Sequence, residues 1–188
     1  MAKEKTRCIW ANSSEEMAAY HDREWGRPVH DDRLLFEMLI LEGAQAGLSW
    51  SIILKKREGY RKAFKNFDLS KVAKMKDEQL EAMMQNENII RNRLKIFGTR
   101  KNAIAFMAIQ KEFGSFDKYL WRFVNGKPIR NKIRTARDIP TRSDLSDALS
   151  KDLKKRGMTF VGTTIIYAYM QAVGLVNDHM QECFKSKA

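Results

Sequence analysis

The sequence predicts a single all-α domain whose two ends are clasped together, and three observations predict it. Helix start and stop signals recur along the chain. No segment alternates apolar and polar residues as a half-buried strand does. The residues suited to hold a metal sit near the two termini. With 188 residues and 44% hydrophobic content, the chain can fill one sizeable core but not several, so residues 1–188 are read as one domain.

The first helix signal is Ser13-Ser14-Glu15-Glu16, where a serine with a glutamate three residues on forms a capping box ahead of Met17–Trp25. Asp31 or Asp32 caps the next helix, Leu34–Ala46, which is apolar almost all round and so belongs in the middle of the core. Further helical patterns cover Ser49–Phe64, Leu69–Met75, Asp77–Met84, Ile89–Lys111, Phe116–Phe123, Ser143–Arg156, Thr163–Val173 and Val176–Phe184. Gly157 and Gly174 stand as C-terminal stops. The stretch Asn125–Arg142 holds two of the three prolines, Pro128 and Pro140, and is expected to be a long surface loop.

Lysine and arginine number 35 against 23 acidic residues, a formal charge of +12 that draws the chain toward polyanions such as a phosphate backbone. Lys127, Arg130, Lys132, Arg134, Arg137 and Arg142 crowd the loop against the single acid Asp138, and Lys151, Lys154, Lys155 and Arg156 follow. A phosphate-facing surface is expected there, with a merely solvated loop as the plain alternative. No apolar run reaches membrane-spanning length, and Met1–Arg7 has no apolar signal core, so a soluble, cytoplasmic protein is expected.

The only two cysteines, Cys8 and Cys183, lie at opposite ends of the chain and do not suggest a disulfide scaffold. His179 precedes Cys183 by four positions, which on a helix puts both on one face as half of a tetrahedral zinc site. Cys8 and His21 supply the other half. Four protein ligands leave no open position for an activated water, so the zinc would be structural. Closing nearly the whole chain in this way is worth roughly 4–5 kcal/mol. His30 has no such company and reads as a loop residue.

A second constellation is Glu42 followed by Gln45-Ala46-Gly47-Leu48-Ser49-Trp50. Glu42 stands out on the apolar helix because a buried carboxyl needs a partner, either a core arginine or lysine or a cationic ligand. Trp10 and Tyr20 offer further stacking faces, unless they serve only the core. A third constellation is Gly157–Thr164, where Gly162, Thr163 and Thr164 open a helix after a turn. That arrangement suits a helix-hairpin-helix element near 145–175, whose amides hold a DNA phosphate, although an ordinary turn between helices looks much the same.

Five segments then resemble one family: YHDREWG at Tyr20–Gly26, LFEMLILEG at Leu35–Gly43, QAGLSW at Gln45–Trp50, DALSKDLKKRGMTFVGTTI at Asp147–Ile165 and GLVNDH at Gly174–His179. The chain resembles 3-methyladenine DNA glycosylase I, among the helix-hairpin-helix glycosylases, nearly from end to end. The resemblance implies a monofunctional enzyme that flips 3-methyladenine out of alkylated double-stranded DNA and releases it as the free base. It implies one structural zinc on Cys8, His21, His179 and Cys183. It also implies that Glu42 hydrogen-bonds the damaged base as the catalytic residue, that Trp10, Tyr20 and Trp50 form an aromatic pocket, and that the Gly47-Leu48 turn enters the DNA. Met17 departs from the family, where a further pocket aromatic is expected. A catalytic aspartate of related glycosylases aligns with Asn177, and a lyase lysine with Thr163 or Thr164, so no lyase activity is expected. Asp178 ranks below Glu42 as an acid because a helix would turn it about 100° from its neighbour. A monomer is expected, and the rival reading is a non-catalytic zinc-stabilised DNA-binding module.

Overall fold

A computed structural model describes residues 5–187, so the first four residues of the polar Met1–Arg7 segment lie outside the described residues. Nine α-helices make up the described fold: α1 (Glu15–Arg23), α2 (Asp32–Gln45), α3 (Trp50–Ala63), α4 (Leu69–Ala73), α5 (Asp77–Ala82), α6 (Arg93–Phe113), α7 (Phe116–Trp121), α8 (Asp144–Lys155) and α9 (Thr163–Ala172). α2 is the axis. It packs on α3, α6, α7 and α9, and every residue from Leu35 to Ala44 is buried. One hydrophobic cluster runs from Cys8 to Cys183.

Caps set the helix starts. Ser14, not Ser13, caps α1, its Oγ accepting from Met17 N at 3.2 Å, while Ser13 turns back to Trp10 O. Asp31 caps α2 by accepting from Leu34 N. Asp32 instead reaches across to another helix. Its carboxylate accepts from Phe116 N and Asp117 N, both at 2.8 Å, and from Gln110 Nε2, tying the start of α7 to the central helix. Asn92 starts α6 by accepting from Lys95 N, so the helix begins four residues later than the apolar pattern at Ile89 indicates.

The largest departure from an all-α reading lies at the C-terminus. Val176–Phe184 is not a helix. Val176–Asn177 forms a short strand, β2, that pairs in parallel with β1 (Ile129–Arg130), and Ile133 bridges to Met180 farther along. The expected surface loop Asn125–Arg142 is therefore pinned to the C-terminal segment along part of its length. Gly174 explains the change of direction. Its φ of +76° lies in the left-handed region, and a Cβ there would come within 2.3 Å of Arg27 C, so the chain turns sharply against the α1–α2 connection instead of restarting a helix. Phe184 N then donates to Thr6 O, bringing the two ends of the described chain together.

Candidate functional site

Two adjoining groups of residues define the site. In the first, the ligand atoms of Cys8, His21 and Cys183 all lie within 4.8 Å of one another, in full burial. His179, the fourth expected ligand, is not part of that group but adjoins it, its ring edge-on to that of His21 with centroids 5.1 Å apart. His179 and Cys183 do not share a helix face. His179 arrives just after β2, where Asn177 Oδ1 accepts from its N–H and faces its Nδ1 at 2.8 Å, and Cys183 sits in the turn that follows, its N–H donating to Met180 O.

The cluster's polar atoms face one another, His21 Nε2 lying 3.4 Å from Cys183 Sγ and 3.5 Å from Cys8 N. His21 Nδ1 is occupied by Asp22 at 2.9 Å, and Asp22 in turn is gripped by Arg7, which holds its carboxyl down at about 2. This turns His21 Nε2 toward the cysteines. His179 Nε2 is buried with no hydrogen-bond partner, a costly state for an imidazole nitrogen. Met180 N and Lys185 N donate to the sulfurs of Cys8 and Cys183. Burial pushes the Cys8 thiol up to about 12 and His179 down to about 4, because each charged form loses its water. The donor set, the orphaned nitrogen and the carboxylate that orients His21 from behind all fit a Cys2His2 zinc ion.

The second group is a cavity of about 280 Å³ lined by Trp10, Met17, Tyr20, Trp25, Glu42, Gln45, Trp50, Ile139, Ala168 and Gln171. The sequence-derived pocket residues Trp10, Tyr20, Glu42 and Trp50 are all on its wall. Tyr20 and Trp50 rings lie 5.2 Å apart and tilted by 45°. Met17 lines the wall too, an adaptable thioether where an aromatic was expected. Trp25, Ile139, Ala168 and Gln171 escape the sequence reading, because they come from the end of α1, the basic loop and α9 and meet only in the folded chain.

Glu42 is not the only acid buried in the apolar run. Glu37, also on α2, receives Arg57 Nε at 2.5 Å and Arg61 Nη2 at 2.8 Å, and Arg57 reaches on to Glu24. Glu37 thus takes the arginine partners that were one of the two options for Glu42. Among the described residues Glu42 has no hydrogen-bond or ion-pair partner, and burial pushes its carboxyl up to about 8. Asp178 is fully buried but committed elsewhere: its carboxylate accepts from Asn131 Nδ2, Tyr167 OH and Gln171 Nε2.

Beside the cavity, Gly47 has a φ of +78° with open space around its Cβ position, and Leu48 is 38% exposed, so the α2–α3 turn projects into solvent. Across the molecule Gly162 caps α9 through its backbone only, Thr164 is exposed, and Thr163 is drawn inward, its Oγ1 donating to Asp147 at 2.5 Å. Lys127, Arg130, Lys132, Arg134, Arg137, Lys151, Lys154 and Lys155 are exposed and form no ion pair among the described residues. Arg142 and Arg156 are instead engaged, by Asp147 and by Glu112 with Asp152.

Among known proteins, the methyladenine glycosylase family matches residues 10–186. The chain belongs to the methyladenine glycosylase family. Within that family it is 50% identical over 177 residues to DNA-3-methyladenine glycosylase 1 of Escherichia coli, covering 94% of this chain and 95% of that protein. It is 49% identical over 178 residues to the DNA-3-methyladenine glycosylase of Haemophilus influenzae, covering 95% and 96%. A solved structure of 3-methyladenine DNA glycosylase I from Staphylococcus aureus, which describes 3-methyladenine recognition, superposes with a TM-score of 0.93 at 38% identity, covering 97% of this chain and 96% of that one.

The buried Glu42 of this family member makes a pH prediction. Because its folded-state carboxyl titrates above the unfolded one, the folded protein holds a proton that the unfolded chain loses between about pH 4.5 and 8. Stability is greatest below that window and falls as pH rises through it. The groups facing Glu42, Tyr20 on α1 and Tyr169 on α9, are pushed well above 10 and stay neutral throughout. Glu42→Gln removes the penalty, so urea melts at pH 5 and pH 8.5 should show the variant gaining on the parent by up to about 1.4 kcal/mol per pH unit. Parallel stability curves would show that Glu42 is not held neutral.

Proposed function

We infer that this chain is a DNA-3-methyladenine glycosylase, a base-excision-repair hydrolase that cleaves the N-glycosyl bond of 3-methyladenine in alkylated DNA. The observation that carries this reading is the partnerless, fully buried carboxyl of Glu42 on the wall of an aromatic cavity, in a chain half identical to glycosylases named for that base. Methylation at N3 gives the base a positive charge and weakens its bond to the sugar, so recognition supplies much of the catalysis. The base leaves the stack and packs against Trp10, Tyr20 and Trp50. Glu42 is the catalytic residue. Neutral without a ligand, it offers one donor and one acceptor to an adenine edge; beside a cationic base its ionised form is favoured, the proton passes to solvent, and the carboxylate accepts a charge-assisted hydrogen bond from the base. Neutral adenine gains no such bond.

The exposed Gly47-Leu48 turn fills the gap left by the flipped base. Gly162, Thr163 and Thr164 at the start of α9, with the α8–α9 turn as a helix-hairpin-helix element, hold a phosphate of double-stranded DNA. No lysine stands at Thr163 or Thr164, so the bond is broken by water and not through a covalent amine. Cys8, His21, His179 and Cys183 hold one zinc ion whose chemistry is structural: it balances the two thiolates and joins the ends of the chain. The protein acts as a monomer and releases free 3-methyladenine.

Elemental analysis of protein purified without chelator should find one zinc per chain. Cys183→Ser should lose the metal and lower the melting temperature; unchanged metal content would remove Cys183 from the ligand set. Affinity for undamaged duplex should fall steeply with salt. The triple variant Lys132→Ala, Arg134→Ala, Arg137→Ala should flatten the logarithmic salt slope by about 0.9 for each phosphate the protein no longer neutralises. An unaltered slope would put the DNA on another face.

The decisive experiment is incubation with methylated duplex DNA and identification of the released bases. The parent should release 3-methyladenine. Glu42→Gln, folded and zinc-loaded, should release it about 10–100-fold more slowly, the value of a charge-assisted hydrogen bond. No free 3-methyladenine from the parent overturns the function, and an equally fast variant overturns the role of Glu42.

A further inference from the structure

We propose that Lys95 is a positioning residue that sets the Gly47-Leu48 turn for opening duplex DNA, while most of the base pocket is held by other elements. The inference rests on the glycosylase reading above. Its starting point is the irregular end of α2. There Ala46 N bonds to Gly43 O and Leu48 N to Gln45 O, three-residue contacts that break the regular helical ladder just before the exposed turn. The carbonyls of Ala44 and Ala46 are taken up from outside the helix. Lys95 Nζ donates to both, at 2.8 Å each.

No other polar atom of Lys95 is spare. Its N–H donates to Asn92 Oδ1, the cap of α6, and its carbonyl accepts from Thr99 Oγ1. Lys95 is half-buried and forms no ion pair among the described residues. It therefore joins the rigid first turn of α6 to the two carbonyls that flank Gln45 and immediately precede Gly47. A positive charge at that point also suits the negative end of the α2 dipole.

What depends on this bridge follows from where it sits. Of the cavity wall, Trp10, Met17, Tyr20 and Trp25 come from the N-terminal segment and Ala168 and Gln171 from α9, while Gln45 lies between the bridged carbonyls and Trp50 begins the helix after the turn. Glu42 lies two residues before the first bridged carbonyl, inside the buried part of α2. The turn beyond Ala46 has only local support: Gly47, Leu48 and Ser49 are exposed, Leu48 N bonds back to Gln45 O, and Ser49 Oγ pairs with Ser51 Oγ instead of capping α3. Losing the bridge frees the turn and leaves the larger part of the pocket wall in place. A turn that must occupy the space of an extruded base acts only through its placement, and small displacements there are costly in rate.

The test uses the full-length, zinc-loaded protein with Lys95→Met and Lys95→Arg. Two quantities are measured: affinity for free 3-methyladenine by calorimetry, and single-turnover release of the base from a duplex bearing one lesion. Lys95→Met should bind the free base within about two-fold of the parent, as expected of a separate site. Its release from duplex should fall about 10–100-fold. Lys95→Arg, which keeps the charge and can reach both carbonyls, should recover most of that loss. Unchanged release in Lys95→Met overturns the proposal. So does free-base affinity that falls in step with release, because Lys95 would then support the whole site. If Lys95→Met does not fold, Lys95→Gln, which retains two N–H donors, is read against Lys95→Arg with the same outcomes. A parent that releases no 3-methyladenine would fail the enzyme reading instead, a separate result.

Discussion

Burial of α2 on all sides constrains everything else in this molecule. Ten consecutive residues, Leu35–Ala44, are closed off from solvent by α3, α6, α7 and α9, so a polar side chain in that stretch cannot reach water by turning outward. Two carboxyls fall inside it. Glu37 meets the guanidinium groups of Arg57 and Arg61, and a buried acid so matched is an ordinary structural feature. Glu42, five residues on and therefore on another face, lines a mainly apolar and aromatic cavity and has no hydrogen-bond or ion-pair partner among the described residues. The same helix thus contains a satisfied acid and an unsatisfied one. Local rules of this kind are broken where a ligand completes them.

The cluster near the termini and the base cavity are one construction seen from two sides. Trp25 packs edge-on against His179, with centroids 4.6 Å apart, and Trp10 packs against both Trp25 and His21. Tyr20 lines the cavity while its neighbour His21 points to the cysteines. The cavity rings thus lean on a cluster that brings residues 8 and 183 together, so the packing of the termini and the shape of the cavity depend on each other.

Much of this was legible in the sequence. The cap at Asp31, offered together with Asp32, the stops at Gly157 and Gly174 and the apolar run of α2 are local signals, and the helices they bound agree with expectation to within a few residues, whereas the cap at Asn92 escapes that reading and α6 starts later than its apolar pattern. Four-residue spacing suggests one helix face for His179 and Cys183, and that reason does not hold, because the fold delivers His179 beside a strand and Cys183 from the turn after it. The scarcity of cysteine, and its pairing with histidine at each end, is the signal that points to the cluster. Ile139 and Gln171 had no signal at all, since a pocket wall built from a loop and a distant helix exists only in three dimensions. Glu37 shows the converse. Nothing in the pattern LFEMLILEG tells which of its two acids will find arginines.

The missed strand is also the joint between clasp and pocket. Along extended chain, side chains alternate in direction, so residues two apart point the same way and the one between points opposite. Asn177 and His179 behave as such a pair: the asparagine oxygen fixes Nδ1 of the imidazole and leaves Nε2 for the cluster. Asp178 faces the other way, where its carboxylate gathers Tyr167, Asn131 and the Gln171 amide that lines the base cavity. A helix would spread these three residues around its axis in steps of about 100° and separate the asparagine from the histidine it orients. Pairing with Ile129–Arg130 prevents this, and with it the basic loop, the cluster and the cavity are fastened at one short strand. Helical propensity in Val176–Phe184 is overruled because only the extended form satisfies His179 and Asp178 together.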